Sequence, residues 1–249
     1  MSAVNSLLSP SIRKTLRQWS DFVLTLPYRG TGRLCPVCGR ASRRFRPFGI
    51  SRRKAAQCLH CGALERHRLV WLYLHTMTDL FDGLPKSVLH IAPESCFVAR
   101  FKELLGDGYL TADLNSRRAM VRMDITDIRY ADRAFDVIYC SHVLEHVLDD
   151  RRAMRELFRV LKPGGWAIIL VPIHDGPTFE DSSIVVPKER LKAFGQADHV
   201  RRYGADYVER LREAGFTVSI TTVSDLVDER DADRMGLTTA SGQIHCCTR

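Results

Sequence analysis

Two pairs of cysteines carry the plainest chemistry in the chain. Cys35-Pro-Val-Cys38-Gly and Cys58-Leu-His-Cys61-Gly are Cys-x-x-Cys pairs with nineteen residues between Cys38 and Cys58. Two intervening residues let a tight turn aim both thiolates at one ion, and Gly39 and Gly62 suit the positive φ that ends such a turn. Four thiolates make a closed tetrahedral zinc site with no position left for water, which is a structural rather than a catalytic centre. A redox dithiol would need a thioredoxin-like strand before the motif, and the sequence has none. Cys96, Cys140, Cys246 and Cys247 have no ligand spacing and read as small apolar residues.

Further polar residues gather at the ends of apolar runs. His90 and Glu94 lie at the end of the first such run, Asp113-Leu114 closes the second, and Asp124-Ile125 the third. Cys140-Ser141-His142 closes the fourth, followed by Glu145 and His146, whose steps from His142 suit either a divalent ion or the structural start of a helix. A polar stretch from 174 to 203 holds His174, Glu180, Gln196, Asp198, His199 and Tyr203, and long polar segments in compact domains are usually functional.

The elements that must position these residues follow from periodicity. Ile12, Leu16, Trp19, Val23 and Leu26 recur at helical steps, so 11–26 reads as an amphipathic helix, and 64–81 as another. From Lys86 onward, short apolar strands (87–92, 108–114, 119–125, 134–140, 166–173, 216–221, 243–248) alternate with helices over 96–105, 149–161 and 205–214. That alternation predicts an α/β fold, an open, doubly wound and mostly parallel sheet covered on both faces, whose ligand lies at the carboxyl ends of the strands. Lys162-Pro163-Gly164-Gly165 reads as a break between helix and strand. Three parts result: a helix over 1–28, a zinc ribbon over 29–63, and a ligand-binding domain over 64–249.

Composition narrows the class of protein. The 249 residues are 45% hydrophobic and 27% charged, which excludes disorder over most of the length. The longest apolar run, Trp166–Ile173, is too short to span a bilayer, and no secretory signal is evident, so the chain is expected to be cytoplasmic with its thiols reduced. The net charge of +8 is concentrated: residues 29–68 hold eleven Arg or Lys against the single acid Glu65. Such a run suits an anionic partner, nucleic acid included, although only Phe45 and Phe48 are there to stack on bases.

The phrases VLHIAPE (88–94), TADL (111–114), MDI (123–125), FDVIYCSHVLEHV (135–147), ELFRVLKPGGWAIILVPI (156–173) and LREAGF (211–216) together resemble the class I, Rossmann-like, S-adenosylmethionine-dependent methyltransferases. With the cysteine pairs and FGQADHVRRYG (194–204), the chain resembles bacterial methyltransferase-domain proteins that carry an N-terminal zinc ribbon. The resemblance implies a seven-stranded sheet and a role for each matching position. Asp113 with Leu114 would take the ribose hydroxyls, and Asp124 with Ile125 the adenine, while Ser141 and His142 would pass the sulfonium. In the first loop, His90 replaces an acid, and Ala92 and Glu94 stand where glycines are usual, so Glu94 is expected to meet the ammonium of the cofactor.

For the acceptor, His199, His174 and His142 are the candidate bases, with Glu180, Gln196, Asp198 and Tyr203 expected to bind it. The expected reaction is methyl transfer to an oxygen or nitrogen of a small or medium-sized metabolite. Methylation of RNA held by the basic ribbon, or S-adenosylmethionine chemistry that releases methylthioadenosine, are the alternatives. The N-terminal helix and ribbon are expected to form a lid over the acceptor.

Overall fold

A computed structural model describes residues 26–49 and 52–249. The helix expected over 11–26 lies outside the described residues, apart from Leu26, which begins a short 3-10 turn. Each cysteine pair sits on a tight knuckle: Gly39 N–H donates to Cys35 O at 2.8 Å and Gly62 N–H to Cys58 O at 3.1 Å, with φ of +67° and +77° at the glycines. Two hairpins carry the knuckles. β1 (Arg33–Cys35) pairs with β2 (Arg40–Ser42), and β3 (Arg46–Phe48) with β4 (Arg53–Gln57), both antiparallel. Helix α1 (Glu65–Thr76) follows the second knuckle and is shorter than the 64–81 expected from its apolar residues.

The sheet is built from β5 (Val88–Ile91), β6 (Tyr109–Asp113), β7 (Val121–Arg122), β8 (Phe135–Ser141) and β9 (Leu161–Leu170). Helix α2 (Ser95–Leu105) joins β5 to β6, and α3 (Asp150–Val160) joins β8 to β9. The polar stretch contains β10 (Phe179–Glu180), α4 (Pro187–Phe194) and β11 (Arg201–Arg202); α5 (Tyr207–Glu213), β12 (Thr217–Thr221), α6 (Glu229–Met235) and β13 (Ile244–Thr248) complete the chain. The seven-stranded order is β12-β13-β9-β8-β5-β6-β7, parallel except for β13, which runs antiparallel to both neighbours. Strand order reverses between β5 and β8, so the ligand crevice lies outside their carboxyl ends.

Alternation along buried strands sends side chains to two cores. Val137, Tyr139, Ile168, Leu170 and Cys246 join one cluster with α1, α2 and the knuckle residues Cys35, Val37, Phe45 and Cys58. Ile138, Cys140, Ile169 and Cys247 join the other with Met154, Leu157, Tyr207 and Leu211. The four cysteines outside the knuckles are therefore core residues, as their isolation in the sequence implied.

Three further elements depart from the sequence reading, besides the shorter α1 and the unread helix α4. The 162–165 break is absorbed into β9 as a bulge: pairing jumps from Phe135–Leu161 to Val137–Trp166, and Gly165 lies so close to Asp136 O that a Cβ would come within 2.7 Å of it. The strand over 119–125 shrinks to two residues at the sheet edge. Helix α6 went unread, although Asp228 caps its first turn by accepting from Asp231 N and Gly236 ends it in the left-handed region.

Arg68 fastens the knuckles to the rest. Its side chain is fully buried, 4.1 Å above the Phe45 ring, and donates to Ala56 O, Ala63 O and Gly236 O at 2.9, 3.0 and 2.9 Å. Burial lowers its affinity for the proton, and the neighbouring thiols of Cys35 and Cys58 together with Glu65 oppose that shift. Arg68→Met removes three buried charge-assisted hydrogen bonds, so a loss of about 3–5 kcal/mol in unfolding free energy is expected. A urea midpoint unchanged from the parent would contradict this.

Candidate active site at the carboxyl ends of the strands

The four knuckle thiols converge. Cys35 Sγ lies 3.7 Å from Cys61 Sγ and Cys38 Sγ 3.7 Å from Cys58 Sγ, and all four fall within 4.8 Å of one another. A tetrahedron with Zn–S bonds of about 2.3 Å has edges of about 3.8 Å, so the cage has the size of a zinc centre and is far too open for disulfides. The His60 N–H points at Cys58 Sγ, 3.4 Å away, as a thiolate would favour.

At the end of β5, Ala92 adopts φ +48°, the left-handed backbone that glycine usually supplies. The loop thus keeps a glycine-like turn with a small side chain. His90 and Glu94 are not placed as the sequence reading expected. His90 is fully buried, hydrogen-bonded through Nδ1 to Tyr109 Oη and through Nε2 to Glu94 Oε2, both at 2.7 Å. Tyr139 Oη donates to Glu94 Oε1 at 3.2 Å, and His67 of α1 stands 3.8 Å from the same oxygen. Burial raises the Glu94 proton affinity, but the bond and charge of His90 outweigh it and hold the carboxyl below its ordinary range. Each oxygen of Glu94 thus has a partner inside the protein, and His90 is buried between Tyr109 and Glu94.

Asp113 and Asp124 are differently poised. Asp113 Oδ1 accepts from the Asn115 and Ser116 amides at 2.7 and 2.6 Å, and Asp124 Oδ1 from Thr126 N and Oγ1, both at 2.8 Å. In each carboxylate Oδ2 takes no bond among the described residues. The Thr126 bonds pull the Asp124 carboxyl below its usual range. Beside them Leu114 is 46% exposed, and a cavity of about 440 Å³ is lined by Leu114, Met123, Asp124 and Tyr130, while Ile125 turns into the core. Asp124 lines this cavity together with Arg122, Asp127 and Arg129, so its wall mixes apolar side chains with charged ones, and Asp113 stands at the end of the adjoining strand β6.

The second cavity, about 910 Å³, opens beside the end of β8. Arg53 and Arg66 line it from the knuckle side, His142 from the end of β8, Pro172 and Ile173 from the end of β9, and Thr238–Gln243 from the loop before β13. His142 has φ +56°, and its Nδ1 lies 3.2 Å from Glu145 Oε1. Ser141 beside it is buried. Arg53 is spent on Glu65, at 3.3 Å through two nitrogens. Arg66 has no acid within ion-pair distance among the described residues, and its Nε is buried without a partner.

The other expected acceptor residues sit elsewhere. Glu180 is clamped by Arg210 and Arg201 at 3.0 and 2.9 Å and pushed down to about 2, chiefly by the Arg210 hydrogen bond. Tyr203 is fully buried and donates to Asp150 at 2.6 Å. His199 is buried edge-on to His146, and burial lowers its proton affinity; Asp198 pairs with His146 at 3.3 Å. Gln196 and His174 are exposed, and neither lines the cavity. Glu180 ties the 174–210 segment to itself, and Tyr203 and Asp198 tie it to the start of α3 and to the turn after β8; of the three candidate bases only His142 lines the cavity. Arg66 was missed because a run of arginines gives no sign of which one turns inward.

Burial pushes His67 down to about 3 and His245 to about 4. Both are neutral in the fold at pH values where an unfolded histidine protonates, so stability is expected to fall as pH drops below about 6.5 and to keep falling to about 4 and below. Urea unfolding at about pH 7 and about pH 5 would show it as a lower midpoint in acid, and His245→Gln is expected to shrink the difference. Equal midpoints would contradict the assignment.

Residues 78–169 match the protein-family model described as "Methyltransferase domain". Ajmaline N-methyltransferase of Rauvolfia serpentina is 30% identical over 122 residues, 46% of this chain and 42% of that protein. A demethylmenaquinone methyltransferase of Clavibacter sepedonicus is 40% identical over 94 residues, 36% of this chain and 38% of that protein. The chain thus spans about two fifths of the length of these curated relatives. Among solved structures, an S-adenosylmethionine-dependent methyltransferase from Mesorhizobium loti superposes with a TM-score of 0.51 at 16% identity, over 72% of this chain and 97% of that one, a likeness of fold.

Proposed function

We propose that this chain, which carries a Rossmann-like methyltransferase domain behind a four-cysteine module, transfers a methyl group from S-adenosylmethionine to an oxygen or nitrogen of a small or medium-sized acceptor that bears an anionic group. The observation that carries the anionic part is Arg66: a guanidinium without an acid partner among the described residues, on the wall of a cavity that also holds His142. A cavity of about 910 Å³ is in the range that encloses a metabolite.

When bound, S-adenosylmethionine supplies an electrophilic methyl on a sulfonium. Asp113 would hold the ribose hydroxyls through its free Oδ2, Asp124 the adenine amine, and the left-handed turn at Ala92 would bring backbone close to the amino-acid end. Arg66 would hold the acceptor's carboxylate or phosphate in the cavity. His142, oriented by Glu145, would take the proton that the acceptor O–H or N–H gives up. The four-cysteine module, in this reading a zinc ribbon over 29–63, serves the site by presenting Arg53 and, through α1, Arg66.

The test is product analysis with phenols, alcohols and amines that carry a carboxylate or phosphate. S-adenosylhomocysteine is the expected product. Arg66→Gln is expected to raise KM for the anionic acceptor by about 10–100-fold, the equivalent of one charge-assisted bond of about 1.5–3 kcal/mol, with kcat little changed. Methylthioadenosine as the product would show different chemistry on the same cofactor. Steep salt dependence together with RNA methylation would replace the small acceptor by nucleic acid.

A further inference from the structure

We propose that Glu145, His146 and His199 form a second metal site, separate from the thiolate cage, which takes a divalent transition-metal ion. Glu145 and His146 lie on the single 3-10 turn Leu144–His146 after β8, and His199 stands just before β11, so two distant stretches of chain meet here. One potential ligand atom from each residue falls within 4.8 Å of the others.

Two of the three residues hold polar atoms that nothing in the fold satisfies. Glu145 is 1% exposed, and its Oε2 is buried without a hydrogen-bond partner. His199 is 4% exposed, and its Nε2 is likewise buried and unpartnered. Each such atom costs about 1–3 kcal/mol when left unpaired. Two buried atoms without a partner among the described residues, on side chains whose potential ligand atoms lie this close, leave room for a further binding group. His146, about one-third exposed, gives an ion a way in from solvent, and Asp198 adds negative charge at 3.3 Å from its Nδ1. Arg201, which donates to the carbonyls of Leu144, Val147 and Leu148 around this turn, spends the rest of its guanidinium on Glu180 and Asp150.

The donor set selects the ion. Two imidazoles and one carboxylate suit zinc, manganese, cobalt or iron(II) better than calcium or magnesium, which prefer all-oxygen shells. Bonds of about 2.0–2.2 Å place ligand atoms about 3.3 Å apart, so the three side chains would close by no more than about 1.5 Å on loading. Three protein ligands leave one or more positions to water. The other oxygen of Glu145 faces His142 Nδ1 at 3.2 Å, so the ion would stand one carboxylate away from the residue that lines the acceptor cavity.

Manganese(II) is the probe, because thiolates bind it poorly and the four-cysteine cage can be kept loaded with zinc. Titration of the full, zinc-loaded chain, followed by loss of the free manganese EPR signal, is expected to show one bound ion per chain. His146→Ala changes a partly exposed side chain outside the core and is expected to weaken that binding at least tenfold. Glu145→Gln, checked for an unchanged circular dichroism spectrum, is expected to do the same. The proposal is overturned if the parent protein binds no manganese, or if His146→Ala binds it as tightly as the parent. Neither readout depends on methyl transfer, so it stands or falls apart from the proposed activity.

Discussion

Cys58→Ser is expected to remove one zinc ion per chain and to unfold the N-terminal hairpins. The two hairpins consist of strands of three to five residues, and the buried apolar side chains they contribute, Val37, Phe45 and Ala56, are too few for a core of their own. If the four thiols hold zinc, the metal is what closes this module on itself, since structural zinc contributes about 10 kcal/mol or more to folding at neutral pH. Domains have only about 5–15 kcal/mol in total, so loss of the ion exceeds what the remaining contacts supply to this module. The damage is expected to spread. Arg68 loses the thiolate charge that compensates its burial, and α1 loses the knuckle that seats its first turn, where His67 adjoins Glu94 and Arg66 faces the cavity. Elemental analysis, thermal melting and S-adenosylmethionine binding on Cys58→Ser are the measurements. A variant with full zinc and an unchanged melting temperature would show that the cage is not a metal centre.

Asp113→Ala is expected to weaken S-adenosylmethionine and S-adenosylhomocysteine by about 10–100-fold, because the lost carboxylate would serve the ribose through charge-assisted bonds worth about 1.5–3 kcal/mol each. Asp113 is suited to this by its asymmetry. The Asn115 and Ser116 amides fix one oxygen, so the other is held in place before any ligand arrives. Asp124→Ala is expected to cost tenfold or more by the same reasoning, since Thr126 fixes its Oδ1. Calorimetry with either nucleoside measures both variants. Unchanged affinity in both would move the pocket elsewhere. Asp113→Asn offers a finer check: it keeps the shape and loses the charge, and its affinity is expected to fall between parent and alanine variant.

Features that depend on near neighbours were legible in the amino-acid sequence. Cysteines three positions apart, each pair followed by glycine, must close knuckles, and the pairs 35–38 and 58–61 do so. Buried parallel strands read as apolar runs, and Asp113 ends the run that becomes β6 as the sequence implied. Polar residues whose partners are remote in the chain took their roles from the assembled fold instead. Glu180 and Tyr203 looked like contacts for an acceptor until the fold brought Arg201 and Arg210 to the one and Asp150 to the other. Glu94 looked free for a cofactor until His90, Tyr139 and His67 closed around it. Arg66 and Arg68 make the point on one helix. They are chemically identical and two residues apart, but two residues are about 200° of helical turn, so one guanidinium must face away from the other. Arg68 enters the core beneath the knuckles and Arg66 faces the cavity, and which of the two does which depends on how α1 is seated between the cage and the sheet.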